Sequence, residues 1–301
     1  MANFSILEIL GSTTPSITVV DIGAMMEGKI KNRYDGLVER GMAQVIGFEP
    51  EPTEFEKLKA HADQRHAYLP YFVGSGKTAT FYRCRYNACS SLYRPDPNVI
   101  DLFTSIGASA GGNFEVVHTT EVETVRLDDI KEVTACDFLK IDVQGAELDV
   151  LKGAVQTLGS TAVVEMEVEF VPIYENQPLF AEIDLFMRQN GFLLHKLIDV
   201  GGRSIRPFVV GSNPFKSISQ LLWADAVYIK DFSRFDTLPP EILLKTAVLL
   251  HEVYSSIDMV AFALKAFDGK AETKLCTDYM AKVTAAVDPI EYSFLNVKDW
   301  I

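Results

Sequence analysis

Residues 17–22 (ITVVDI) are apolar at nearly every position and rich in β-branched side chains, which predicts a strand buried on both faces of a parallel sheet. Ile30, Tyr34, Leu37 and Val38 then recur at helical spacing, and Gly41 is placed to end that helix. A second buried strand, AQVIGF, stops at Glu49 and Pro50, and a polar helix (TEFEKLKAHA) follows. Two strand-like runs within 67–84 flank Gly74-Ser75-Gly76-Lys77 and predict a hairpin. Residues 86–118 read as loop-rich, VETVRL as a short strand and DDIKEV as a short helix.

The clearest unit is DFLKIDVQGAELDVLKGAVQTLGS. A strand over 137–142 passes through Gly145 into one helix carrying Leu148, Leu151, Ala154, Val155 and Leu158. Strand TAVVEMEVEF and the amphipathic helix LFAEIDLFMRQNGF come next. FLLHKLI and ADAVYIK form the last strands, around a glycine-containing insertion at 199–216. Strands alternating with helices predict an α/β, doubly wound sheet over 1–230. After Lys230 the pattern becomes purely helical, so 231–301 is expected to be a C-terminal helical extension.

Charge narrows the partners. The 301 residues carry 28 basic and 41 acidic side chains, a formal net charge of −13, and such a surface repels nucleic acid and anionic lipid. No apolar run approaches the roughly 18 residues of a membrane span, and the N-terminus lacks a basic region before an apolar core. The four cysteines (Cys84, Cys89, Cys136, Cys276) form no Cys-x-x-Cys pair and read as buried free thiols. A cytoplasmic protein is the expectation.

In a doubly wound sheet, ligands bind at the carboxyl ends of the strands. Three predicted strand ends carry acids: Asp21, Glu49 and Asp142. Gly23 lets the chain turn tightly beside a ligand, and Glu49 stands where a carboxylate can accept hydrogen bonds from a ribose. The second glycine of a pyrophosphate-binding loop is missing, because Met25 and Met26 occupy that region. That argues against an NAD-type oxidoreductase and favours a nucleoside cofactor without phosphates, S-adenosylmethionine, with its amino-acid end in this loop. Glu165, Glu167 and Glu169 alternate onto one face of their strand. Glu167 or Glu169 near Asp142, with Glu147 at the next helix, could deprotonate an acceptor hydroxyl or hold a divalent cation such as magnesium. His118, after the glycine-rich loop, is a further candidate base.

The motifs VVDIGA, GFEPEP, and above all FLKIDVQGAELDVLKGA followed by VVEMEVEFVPIYENQPLFAEIDLFMRQNGF, resemble the FkbM family of methyltransferases, over residues 17–230. The resemblance implies a Rossmann-like seven-stranded sheet with its last strand antiparallel. It also implies S-adenosylmethionine as methyl donor and O-methylation of a hydroxyl on a sugar, glycan or natural product. Asp21 and Gly23 match the first cofactor motif, Glu49 the ribose acid and Asp142 the acid ending the fourth strand. Ser91, in SSLY, matches a segment near the adenine. Ala24, Met25, Pro50 and Val143 adjoin these positions and complete the expected cofactor contacts. Asp142 and Glu167 are the expected catalytic pair. The sequence departs from the family at the MMEGKI loop and at Gln144, where an acid is common, which weakens a metal role there. The helical extension is expected to cover the acceptor cleft or to mediate a homodimer. The rival to an enzyme is a non-catalytic scaffold on the same fold.

Overall fold

The computed structural model describes residues 4–25 and 31–286. A short helix α1 (Leu7–Leu10) precedes strand β1 (Ile17–Ile22), helix α2 (Asp35–Glu39), strand β2 (Ala43–Phe48), helix α3 (Pro52–His61) and strand β3 (His66–Leu69). Strands β4 (Phe72–Val73) and β5 (Thr78–Cys84), helix α4 (Pro97–Ile100) and strand β6 (Val116–Val125) follow. Strand β7 (Phe138–Ile141), helices α5 (Glu147–Lys152) and α6 (Val155–Ser160), strand β8 (Val163–Glu169) and helix α7 (Phe180–Gln189) form the central repeat. Strands β9 (Phe192–Gly202) and β10 (Leu221–Lys230) complete the sheet, and helices α8 (Pro240–Glu252), α9 (Ile257–Ala271) and α10 (Leu275–Ala286) end the described chain.

The main sheet has seven strands in the order β3-β2-β1-β7-β8-β10-β9, with β10 antiparallel to both of its neighbours. The predicted doubly wound, Rossmann-like sheet with an antiparallel last strand is therefore present. All six residues of β1 are buried, as its unbroken apolar run requires. Alternate side chains feed two separate cores. Val19, Val45, Phe138, Val163 and Val227 face one layer, and Val20, Phe48, Leu139, Val164 and Ala226 face the other. The second layer is built from α5, α6 and α7. The first is built largely from α8, α9 and α10. The helical extension thus covers one face of the sheet. The half-buried Lys245 ammonium of α8 lies 2.9 Å from Asp137, whose other oxygen accepts the Thr18 N–H.

Three local expectations are corrected. The two runs around Gly74–Lys77 do not pair as a hairpin. Strand β6 lies between them, parallel to β4 and antiparallel to β5. The Thr124 hydroxyl of β6 accepts the Gly76 and Lys77 N–H groups, which the hairpin would otherwise have paired. The loop-rich stretch 86–118 also holds α4 and the start of β6. The helix expected across 147–160 is two helices, because the chain kinks at Gly153 and Ala154, where the Gly153 carbonyl accepts the Asp128 N–H. The expected helix over 128–133 is only a 3-10 turn, Leu127–Asp129. Helix α2 is also shorter than the periodicity predicts, and Ile30 lies outside the described residues.

Candidate active site

Strands β1, β2, β7 and β8 end at one side of the sheet, and a cleft of about 450 Å³ opens there. Its lining includes Gly23, Met25, Glu49, Pro50, Ser91, Asp142, Val143 and Glu167. Eight of the residues singled out from the sequence for cofactor binding or catalysis therefore meet at one place, although they are spread over more than a hundred positions. Asp21 and Ala24 do not line this cleft. They face an adjoining hollow, which Met25 also lines. Met26 and the rest of 26–30 lie outside the described residues.

Gly23 makes the meeting of strand ends feasible. Its φ is +84°, and a Cβ at this position would overlap the Asp142 carbonyl oxygen. The N–H groups of Gly23 and Ala24 both donate to the Phe48 carbonyl at 3.0 Å, which locks the end of β1 to the end of β2. Asp21, two residues earlier within β1, is fully engaged in the interior. One oxygen accepts from the Tyr34 hydroxyl at 2.5 Å and the other lies 3.2 Å from the Lys140 ammonium. Burial opposes the charge on Lys140, but Asp21 and Asp142 together hold its pKa above the ordinary lysine value.

Glu49 ends β2 as a buried carboxyl that accepts the Glu51 N–H at 2.7 Å. Burial, the largest cause, pushes its pKa up to about 7. On the opposite wall, the Gln144 side-chain amide donates both of its hydrogens, to Asp142 Oδ1 at 2.8 Å and to Glu167 Oε2 at 2.7 Å. Gln144 has a φ of +57°. It is held there by the Ser91 hydroxyl on its backbone carbonyl, at 2.6 Å, and by the Tyr174 hydroxyl on its side-chain carbonyl, at 3.2 Å. Burial raises the Glu167 carboxyl well above the usual range, and the neighbouring Asp142 and Glu169 add to the effect.

Glu147 lies beneath this loop. Its Oε1 accepts the Val143 and Gly145 N–H groups at 3.0 and 3.1 Å, so it braces the turn that carries Asp142 and Gln144. The cleft continues toward Arg33, which pairs with Asp199, with Asp225 at 2.9 Å and with Glu165 at 3.4 Å. Glu165 also accepts the Tyr254 hydroxyl at 2.6 Å, from the turn after α8. These contacts answer the cost of burying a carboxylate in the middle of β8. His118 is exposed on β6 and does not line the cleft. The cysteines are buried free thiols, as expected.

The sequence reading did not single out Lys140, Arg33 or Tyr254. Lys140 had a signal: in a parallel β1–β7 pair it sits at the register of Asp21. Tyr254 had none, being 89 positions from its partner.

The cleft suits S-adenosylmethionine. Its volume falls within the roughly 300–1,000 Å³ of small-molecule sites, Gly23 lets the backbone approach closely, and Glu49 offers a buried carboxyl at the end of β2. The acids around it also favour a sulfonium cation. Among the described residues, no group of three or more His, Cys, Asp or Glu side chains is arranged to hold a metal ion. No helix among the described residues is long and apolar enough to cross a membrane.

Comparison with known proteins agrees with this geometry. The family model described as "Methyltransferase FkbM domain" matches residues 29–194, more than half of the chain. A search of curated proteins finds no significant match. Among solved structures, the chain is similar to a protein from Thermoplasma acidophilum provisionally named a methyltransferase (7% identity, 76% of each chain, TM-score 0.35). It is similar to LepI in complex with SAM (11% identity, 75% of this chain and 47% of that chain, TM-score 0.32). It is also similar to a 16S rRNA (adenine(1408)-N(1))-methyltransferase from Catenulisporales acidiphilia (10% identity, 76% of this chain and 95% of that chain, TM-score 0.33). These likenesses are distant. The family match shows that the chain belongs to the FkbM methyltransferase family and that its cofactor is S-adenosylmethionine.

Proposed function

We propose that the chain methylates a hydroxyl oxygen of a sugar, a glycan-linked compound or a related polyol natural product. One observation carries this reading. Asp142 and Glu167 are tied to the two hydrogens of a single amide and both line the cleft. A hydroxyl must lose its proton as the oxygen attacks, and a buried carboxyl with a raised pKa is a stronger proton acceptor than one in water. Bound S-adenosylmethionine supplies an electrophilic methyl on a sulfonium.

Within the chain, Glu49 would hold the ribose, while the 142–145 turn, braced by Glu147, positions the acids. Asp142 orients the acceptor hydroxyl and Glu167 takes its proton. The Gln144 amide keeps the two carboxyl groups at fixed positions and limits their mutual repulsion. Polar walls that include Arg33, Lys31, Asn32 and Asp225 suit an acceptor rich in hydroxyl groups. Positioning of acceptor against donor supplies much of the acceleration in this scheme.

The test is incubation with methyl-labelled S-adenosylmethionine and a panel of sugars, sugar conjugates and matched amines, followed by location of the label by NMR. The expected product carries the methyl on oxygen, and Glu167→Gln lowers kcat by roughly 10²-fold or more. Label on nitrogen or carbon, or an unchanged rate in Glu167→Gln, would contradict the proposal.

A further inference from the structure

Strand β9 carries Asp199 at the cleft and then runs into a long excursion before β10. This excursion differs from the rest of the surface in two independent ways. Its large apolar side chains point to solvent: Ile205 is 51% exposed, Phe208 65%, Phe215 62% and Ile218 62%. Its charge is also reversed. Residues 200–221 contain Arg203, Arg206 and Lys216 and no acid, in a chain whose net charge is −13. Among the described residues none of the three cations makes a close ion pair, although Asp101 lies near enough to Arg206 for that charge to help lower the pKa of the Asp101 carboxyl. Arg206 instead donates to the Ile106 carbonyl at 2.8 Å, and Arg203 stacks on Phe215 and Trp223.

The segment is held as a platform. The Thr104 N–H donates to the Ser204 carbonyl, the Arg206 N–H to the Leu102 carbonyl, and the Thr104 hydroxyl to the Pro214 carbonyl at 2.8 Å. Its exposed apolar groups are therefore displayed on fixed backbone. Soluble surfaces rarely gather several large apolar side chains without a partner.

We propose that this platform docks the protein on an anionic lipid bilayer, with Phe208, Phe215 and Ile218 entering the headgroup region and Arg206 and Lys216 meeting the lipid charges. The charge pattern selects this occupant. Exposed aromatic and aliphatic tips flanked by cations are the signature of interfacial binding. A second copy bound through the same patch in a two-fold interface would set the segment 200–221, which carries three cations and no acid, against the same cations of its partner. The repulsion expected from the net charge applies to the acidic remainder of the surface and is screened within about 8–10 Å at physiological salt, so it does not govern a local basic, apolar face.

The test is vesicle flotation of the full chain with phosphatidylcholine alone and with phosphatidylcholine plus phosphatidylglycerol, at low and high salt. Two variants, Phe208→Ser with Ile218→Ser and Arg206→Glu with Lys216→Glu, accompany it. Binding of S-adenosylhomocysteine and the thermal unfolding temperature report on whether each variant folds. The expected result is flotation with the anionic vesicles only, weakened by salt. The apolar variant should lose at least about tenfold in partition, and the charge variant at least about thirtyfold, at roughly fivefold per cation removed. Three results would overturn the proposal: no flotation with either composition, undiminished flotation in both folded variants, or a dimer in light scattering that the apolar variant dissociates.

Discussion

At the scale of single residues, the site works by burying acids and then controlling their protons. Glu49, with its pKa near 7 in the folded chain against an ordinary 4.5, is the clearest case. The folded chain holds this proton more tightly than the unfolded chain. The stability contributed by that difference is present in full below about pH 4.5 and is lost as pH rises through about 7. A ribose donating hydrogen bonds to the carboxylate would favour the charged form, so cofactor binding near pH 6–7 is expected to release a proton. Calorimetry in buffers of different ionisation enthalpy measures that release, and Glu49→Gln should abolish it. Glu167 gives a second expectation. As the proposed proton acceptor it would have to be ionised, so kcat should rise with pH through its raised pKa, and Glu167→Gln should flatten that limb. Gly23 sets a third. Gly23→Ala meets both an unfavourable φ and the Asp142 carbonyl, a loss of at least about 2 kcal/mol. Chemical denaturation should show it, together with failure to bind S-adenosylhomocysteine.

At the scale of elements, the carboxyl ends of β1, β2, β7 and β8 do the positioning, and the extension supports them from below. Tyr254 reaches from the turn after α8 to Glu165, and Lys245 of α8 reaches Asp137 at the start of β7. Tyr254→Phe removes a donor from a buried acid and should destabilise the fold by about 1–3 kcal/mol, as a shift in denaturation midpoint. Much at this scale was legible in the sequence. The apolar runs of β1, β2 and β7 marked the buried strands, and the acids after β2 and β7, Glu49 and Asp142, marked the cleft, whereas Asp21, inside β1, faces the adjoining hollow. The alternating glutamates of β8 were legible as one face. What periodicity does not carry is pairing between segments distant in the chain. The run 72–84 looks like a hairpin because its turn residues are local, whereas β6, which separates its two arms, enters some forty residues later. For the same reason the Tyr254–Glu165 and Arg33–Asp225 contacts leave no mark in the sequence.

At the scale of the whole molecule, the boundary at residue 230 divides the chain by pattern, while the core crosses it. Ile17, Val19, Val45 and Val163 share one apolar cluster with Leu243, Val248, Val260 and Leu264. We therefore expect a chain ending at Asp231 to lose cooperative unfolding and cofactor binding, because one face of the sheet would be left uncovered. An intact melting transition and retained binding in the truncated chain would show that the extension is dispensable. We propose that the cleft itself holds S-adenosylmethionine, with Glu49 on the ribose. The most direct measurement is calorimetric titration of S-adenosylhomocysteine into the full chain and into Glu49→Ala. We predict saturable binding to the full chain, weakened about tenfold or more in the variant, which corresponds to at least roughly 1.4 kcal/mol. Equal affinity in a folded Glu49→Ala, or no binding to the folded full chain, would contradict it.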